Sequence, residues 1–453
     1  MMQKKFQKRS RFLPGALALT VAATMPATAM AAGFQLTEQS VTGLGRAFAG
    51  SAAFAEDAST VFYNPAGLTE LDREVLIGGS LIALGADLDR TVAVDASGQP
   101  LTGGEGGDVG KLGGVPILYY SQRVNDDWVF GLGVNAPFGL ATDYDPDWIG
   151  RYQGVYSQVS TLNINPSLGW EVNDNWSLGF GLSAMHFRVK LTNMVDYGAV
   201  CYGAVNPVTC SAIGLTPQSH DGYAEIEGDS WGFGFNLGAM WKNDTTRIGF
   251  HYRSRVSQDL EGDSRFENAP ALFTATNRFI NQGITAEFET PETISLSLVH
   301  DINEDWTFSA DVTRTGWDTF ESIVVNYDNY DPATGAGQPP TIQPENWEDV
   351  MRYSVGLDWR YSEAFTFRGG LALDQSPISD EYRTVRLPGD DRTWLSFGAT
   401  WHVSEAMEMA FGYAHLFIDD EIPFAETGSQ GDTIAGTYEA SADIVGAELR
   451  YRF

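Results

Sequence analysis

Met351-Arg352-Tyr353-Ser354-Val355-Gly356-Leu357-Asp358-Trp359-Arg360-Tyr361 has an apolar residue at every second position. In an extended chain that alternation puts Met351, Tyr353, Val355, Leu357, Trp359 and Tyr361 on one face and Arg352, Ser354, Gly356, Asp358 and Arg360 on the other. The same rule separates Leu395, Phe397, Ala399, Trp401 and Val403 from Ser396, Gly398, Thr400 and His402. It also separates Leu178, Phe180, Leu182 and Ala184 from Ser177, Gly179, Gly181 and Ser183. A water-soluble sandwich would alternate in this way too. Polar faces rich in Gly and Ser suit a lumen, however, and aromatics gathered at strand ends suit the two membrane interfaces, so the pattern points to a transmembrane β-barrel.

Working outward, a turn motif recurs between alternating runs: Val124-Asn125-Asp126-Asp127-Trp128, Val172-Asn173-Asp174-Asn175-Trp176 and Ile302-Asn303-Glu304-Asp305-Trp306. Weaker copies are Lys242-Asn243-Asp244-Thr245, Tyr361-Ser362-Glu363-Ala364 and Val403-Ser404-Glu405-Ala406. Asn, Asp and Ser favour tight turns, and a Trp opening the next strand suits an interface. Six short turns on one side imply seven hairpins, hence an all-β antiparallel barrel of about fourteen strands with both ends on the periplasmic side. The predicted strands are 74–87, 115–124, 128–137, 157–172, 176–190, 228–242, 245–260, 287–302, 306–325, 349–361, 365–375, 392–403, 406–418 and 438–453. The last ends Leu449-Arg450-Tyr451-Arg452-Phe453, alternating to a terminal aromatic, a signature suited to outer-membrane assembly machinery.

Residues 1–31 read as a secretory signal: Lys4, Lys5, Lys8, Arg9 and Arg11, then an apolar core from Phe12 to Val21, then Ala29-Met30-Ala31 for cleavage. Removing those five basic residues from a chain with 28 Lys and Arg leaves 23 against 59 Asp and Glu. A balance so acidic argues against nucleic acid as a partner, because phosphate binding needs clustered cations. Acidic segments such as Asp143 to Asp147 and Asp419 to Glu426 suit exposed outer loops.

The stretch from Gly33 to Leu71 differs from the rest: it is crowded with Gly, Ala and Ser and has no sustained alternation. Residues 32–72 are expected to fold as a plug inside a barrel built by residues 73–453. The series Ala32-Gly33-Phe34-Gln35-Leu36, Glu38, Ser40, Gly43-Leu44-Gly45-Arg46-Ala47, Ala49-Gly50, Asp57-Ala58 and Asn64-Pro65-Ala66 resembles the N-terminal hatch of the FadL/TodX family of outer-membrane transporters of hydrophobic compounds. The resemblance implies that Gly33 and Phe34 reach into the lumen beside the substrate and that Asn64, Pro65 and Ala66 belong to the passage.

The third strand breaks where Asn135-Ala136-Pro137-Phe138-Gly139 brings a proline that cannot donate to the ladder and a glycine free to bend. With Leu140 following, this stretch resembles the family's kinked third strand, where an inward bend opens a lateral gap. Such an exit suits an apolar cargo, since each methylene moved into water costs about 0.8 kcal/mol, or about 12 kcal/mol for a sixteen-carbon chain. Arg188 and Lys190 match a basic pair that the family often shows, which makes them candidate partners for a carboxylate. Simple alternation instead sets them on the lipid-facing side with Phe180 and Leu182, where lipopolysaccharide phosphates are an equal alternative. Arg314, Arg352 and Arg368 are further candidates.

Cys201 and Cys210 stand close together in one polar segment of an exported chain, and a disulfide staple fits them better than a metal site, which would want more ligands than His220 supplies. The six histidines are scattered, and no H-E-x-x-H, G-x-S-x-G or P-loop occurs, so neither an enzyme, a metal nor a cofactor is expected. The reading is a monomeric outer-membrane barrel, in contact with membrane lipid and lipopolysaccharide, that takes up long-chain fatty acids or similar hydrophobic compounds. A general diffusion porin for polar solutes is the alternative.

Overall fold

The computed structural model describes residues 33–107, 110, 112–418 and 421–453; the signal assigned to residues 1–31, Ala32 and the acidic pair Asp419 and Asp420 lie outside the described residues. Fourteen antiparallel strands close into one barrel. They are β1 Glu74–Val94, β2 Leu112–Arg123, β3 Trp128–Asn135 with Gly139–Asp143, β4 Tyr156–Asn173, β5 Trp176–Asp196, β6 Asp221–Lys242, and β7 Thr246–Arg253 with Val256–Phe266. The circuit continues with β8 Gln282–Thr290 and Glu292–Asp301, β9 Trp306–Gly316, β10 Val350–Arg360, β11 Phe365–Asp374, β12 Arg392–Ser404, β13 Met407–Ile418 with Ile422–Thr427, and β14 Thr433–Arg452. Each pairs with the next, and β1 pairs with β14 from Glu74↔Arg452 to Val94↔Thr433, so no strand is left as an edge.

The six short turns fall where the recurring motifs stand, and the four that carry Asn share one mechanism. Asn125 Oδ1 accepts from the amides of Asp127 and Trp128 at 3.0 Å each. Asn173, Asn243 and Asn303 repeat the arrangement at their own turns. A short side chain that replaces a backbone acceptor is what makes Asn a turn former here. The tryptophans that follow stack in pairs at this rim, Trp128 with Trp170 at 5.6 Å between centroids and Trp306 with Trp359 at 5.4 Å, as amphipathic rings at a membrane interface do.

Sequence-based boundaries shift mainly at the outer rim. β1 runs on to Val94, β5 to Asp196, β6 starts at Asp221 and β14 at Thr433, because strands that rise beyond the membrane are wet on the outside and lose their apolar signal. The strand expected over 306–325 breaks after Gly316; Ser322–Tyr327 then pairs with Thr341–Pro344 and with the start of β8.

Candidate transport site and lateral opening

Residues 33–71 fill the lumen. Three short helices, α1 Val41–Leu44, α2 Ser51–Phe54 and α3 Thr60–Tyr63, precede a 3-10 helix, Pro65–Glu70. Ser40 caps α1 through its hydroxyl, which accepts from the Gly43 amide at 3.0 Å. Asn64 Oδ1 accepts from the Ala66 amide at 3.0 Å and Pro65 starts the 3-10 helix, a position where a missing N–H is no loss. Asn64 Nδ2 also donates to the carbonyls of Ala52 at 2.5 Å and of Ala239 in β6 at 3.2 Å, so the Asn64-Pro65-Ala66 turn ties the hatch to the wall.

Lumen-facing charges hold the hatch as well. The Glu448 carboxylate accepts from the amides of Val41 at 2.8 Å and Thr42 at 2.9 Å. Arg46 lies between Asp358 and Glu56, and Arg368 pairs with Asp358 at 2.9 Å. The lumen-side glycines have a steric purpose. A Cβ at Gly179 would stand 2.2 Å from the Ala66 amide nitrogen, so the hatch backbone reaches the wall only because that position is bare.

The pairing of the third strand is interrupted between Asn135 and Gly139. Its pairing with β4 runs to Asn135↔Asn163 and resumes at Gly139↔Ser160, so three residues, Ala136, Pro137 and Phe138, oppose two. On its other side, pairing with β2 stops at Leu118↔Val134 and reappears in the same register as an isolated bridge, Gly110↔Thr142. Among the described residues the wall between those points has no β2–β3 ladder. Asn135, Leu140 and the three bulged residues are all buried.

The hatch supplies the bonds that β2 does not. Leu36 N–H donates to the Pro137 carbonyl at 2.8 Å, Gly139 N–H donates to the Phe34 carbonyl at 2.9 Å, and Gln39 Nε2 donates to the Ala136 carbonyl at 2.8 Å. Gly33 sits at φ 71°, a turn that glycine makes without strain, against the rings of Trp347 and Trp317.

Phe34 is the centre of an aromatic cage. Its ring centroid lies 5.0 Å from Trp317, 5.6 Å from Trp347, 5.7 Å from Phe288, 5.9 Å from Phe138, 6.1 Å from Phe320 and 6.4 Å from Phe187. Beside the cage, Phe34, Val159, Phe187, Leu260, Phe288 and Phe320 contribute to an apolar cavity of about 90 Å³. Sequence reasoning missed the cage members Trp317, Phe320 and Trp347. They come from the connection between β9 and β10, where the three large rings themselves were the available signal.

Arg188 and Lys190 lie on the outer face of β5, where Arg188 pairs with Glu227 and Lys190 with Glu225 at 2.7 Å. That geometry takes them away from a lumenal carboxylate: alternation from the inward Phe187 turns both outward, and both already have counterions. Arg314 pairs with Glu292 and Asp349, whereas Arg352 and Arg368 are buried against the hatch. Cys201 and Cys210 are joined by a disulfide between two short helices, Tyr197–Ala204 and Pro207–Ala212, in the outer connection from β5 to β6.

A closed fourteen-stranded barrel with a lipid-facing outer surface, an inserted hatch and an aromatic cage in its lumen defines a plugged outer-membrane transport barrel. The chain belongs to the outer membrane protein transport protein family (OMPP1/FadL/TodX), whose model matches residues 21–453. It is a protein of the outer membrane and a transporter, not an enzyme. It is 28% identical to a long-chain fatty acid transport protein of Escherichia coli O6:H1 over 98% of this chain and 100% of that one. Among solved structures it resembles a Pseudomonas aeruginosa FadL homologue, with a TM-score of 0.84, 23% identity, and coverage of 93% of this chain and 99% of the other. The Pseudomonas putida toluene transporter TodX shares the fold with a TM-score of 0.62 at 18% identity, covering 88% and 94% of the two chains.

Proposed function

We propose that this chain carries apolar compounds, long-chain fatty acids or hydrocarbons, passively inward from the medium, and that the hatch gates a route leaving sideways through the wall beside β3. The observation that carries the reading is the double backbone link between residues 34–36 and residues 137–139, next to the stretch where β2 and β3 lack a ladder. Phe34 is a phenyl group held where an apolar cargo would lie. A cargo that displaces it shifts the short segment that also bonds the kink. Ring displacement and loosening of the wall are then one movement, and the cargo passes into the outer leaflet without being hydrated. The names of the relatives, a fatty acid transporter and a toluene transporter, both fit an apolar cargo.

In this reading the chain works as a monomer without a cofactor, its lipid-facing wall in the membrane and Arg188 and Lys190 at the rim among lipopolysaccharide headgroups. The aromatic C-terminus serves recognition by the assembly machinery. Uptake of labelled palmitate by cells lacking their own transporter, with and without this chain, tests the proposal. Faster uptake that persists after energy depletion is expected, and no gain over the empty strain would sink it. A large, steady ion current through the intact barrel in a planar bilayer would instead favour a porin.

A further inference from the structure

Alternation along β4 puts Leu162 on the outer face and Val159, Thr161 and Asn163 on the inner one, beside the interrupted part of the third strand. Asn163 pairs with Asn135 and Val159 with Leu140, so Thr161 and Leu162 are the two residues that face the three of the bulge. β4 itself is regular here. Its ladder with β5 runs unbroken from Tyr156↔Thr192 to Ile164↔Ala184 and sets Thr161 opposite Phe187 of the cage.

Thr161 serves both backbone groups of Phe138 with one hydroxyl. Its Oγ1 accepts from the Phe138 N–H at 3.0 Å and donates to the Phe138 carbonyl at 2.6 Å. In an antiparallel ladder a partner residue makes such a pair of bonds through its backbone. Here a side chain makes them, because a hydroxyl is donor and acceptor at once. Side chains also mark the lower edge of the gap: Asn163 Nδ2 donates to Asn135 Oδ1 at 3.0 Å, and Asn135 Nδ2 to the Tyr119 hydroxyl at 3.2 Å. That relay crosses from β4 through β3 to β2 beside the last rung of the β2–β3 ladder, Leu118↔Val134.

The kink is therefore tied in two ways. The hatch holds Ala136, Pro137 and Gly139 through Gln39, Leu36 and Phe34, whereas Phe138 between them is held by the wall. Residues 34–39 lie outside every helix and named strand, while Thr161 is built into a ladder. Cargo that displaces the Phe34 ring takes residues 34–36 with it, and Pro137 and Gly139 lose those bonds. Phe138 keeps both of its own.

We infer that Thr161 is a positioning residue for the lateral opening, the fixed pivot that keeps Phe138 on β4 while the hatch segment moves, so that the wall parts between β3 and β2. The inference rests on the lateral route proposed above and names the residue that aims it. Without the pivot, Phe138 carries a buried N–H and C=O with no partner, a state that folded chains avoid. Freed from the hatch as well, the kink turns to the open edge of β2, since an unpaired strand edge takes up backbone that meets it, and the gap shuts. The position thus needs the hydroxyl and not the shape of threonine: valine has the same outline and makes neither bond.

The test compares wild type with Thr161→Val and Thr161→Ser. Uptake of labelled palmitate by cells lacking their own transporter should fall about tenfold or more for Thr161→Val and be restored by Thr161→Ser. Palmitate binding to the intact mature protein in detergent, followed by the fluorescence of Trp317 and Trp347, should be unchanged in both, as should heat-resistant mobility. Wild type alone supplies a second measurement: adding palmitate should speed amide exchange at Leu36 and Gly139 and leave Phe138 protected. Normal uptake by Thr161→Val, no rescue by serine, or exchange at Phe138 that accelerates as much as at Gly139 overturns the pivot. Equal loss of binding and uptake in Thr161→Val also overturns it, because the residue then only supports packing. The variant with Pro137→Val and Gly139→Thr, assayed alongside, separates the two readings. If its uptake is blocked while Thr161→Val transports normally, the pivot alone fails; if it transports normally through a closed wall, the lateral route fails and the pivot with it.

Discussion

The amide of Gly139 donates to the carbonyl of Phe34 at 2.9 Å, so a residue of the interrupted wall and the residue that fills the aromatic cage are joined by one hydrogen bond. With Leu36 bonded to Pro137, the start of the hatch behaves as a short added strand along a segment that β2 leaves unpaired. In the proposed route, gating and exit share the same few atoms.

Closing the wall should stop transport without stopping binding. Pro137→Val with Gly139→Thr introduces strand formers able to donate, and Ala136→Trp fills the gap by bulk. Both variants should retain heat-resistant mobility and bind palmitate, while cellular uptake falls about tenfold or more, as expected when locally strained pairing is tied to function. Undiminished uptake through a wall shown to be closed would mean that the cargo passes the hatch into the periplasm.

Removing the cage occupant should unseat the start of the hatch. Deleting residues 33–36 takes away Phe34 and the bonds to Pro137 and Gly139, and Phe34→Ala alone should cost about 3 to 5 kcal/mol of local packing. The barrel ladder does not depend on either, so mobility on gels should be unchanged while uptake is impaired. Wild-type uptake by the deletion would reduce these residues to a tether.

Gly179 tests the docking of the Asn64-Pro65-Ala66 turn. Gly179→Val brings side-chain atoms into the 2.2 Å approach of the Ala66 nitrogen and the Pro65 carbonyl carbon, so the turn must back away from the wall. Limited proteolysis should then cut within residues 33–71 of an intact barrel, and single-channel current should rise. A hatch as protected as in wild type would show that the wall yields instead.

Hatch docking should weaken as pH rises. Burial pushes the Glu38 carboxyl from its ordinary 4.5 up to about 7, and its Oε2 has no hydrogen-bond partner. A value raised by docking means that the docked hatch prefers the neutral acid: the stabilisation is complete below the ordinary value and is lost as pH rises through about 7. Protection factors across residues 36–48, with the intrinsic pH dependence of exchange divided out, should fall between about pH 5 and about pH 7, and Glu38→Gln should flatten that profile. An equal slope in both proteins would assign the effect to other groups.

The Cys201–Cys210 disulfide closes a short ring, worth about 2 to 3 kcal/mol, and it cross-links the outer helices, not the barrel. Cys201→Ser should raise proteolysis between β5 and β6 while leaving barrel melting unchanged. Two free thiols in protein taken from the outer membrane would contradict the staple.

The faces of Met351 to Tyr361, the six turns and the strand number were legible in the sequence because each is carried by neighbouring residues. A period of two sets which side of a strand a residue is on, and an Asn such as Asn125 makes its turn with amides two and three positions away. The break after Asn135 was legible for the same reason, since proline cannot donate wherever it stands. The partner of that break was not. Phe34 meets Trp317 and Trp347, and Arg253 and Arg352 come to line one cavity, only when the barrel closes and the outer connection from β9 to β10 folds inward. Alternation says that a residue faces the lumen but not which distant residue faces it there. That depends on the register of fourteen strands and on how the hatch packs within them, and these long-range relations were decided by the tertiary structure alone.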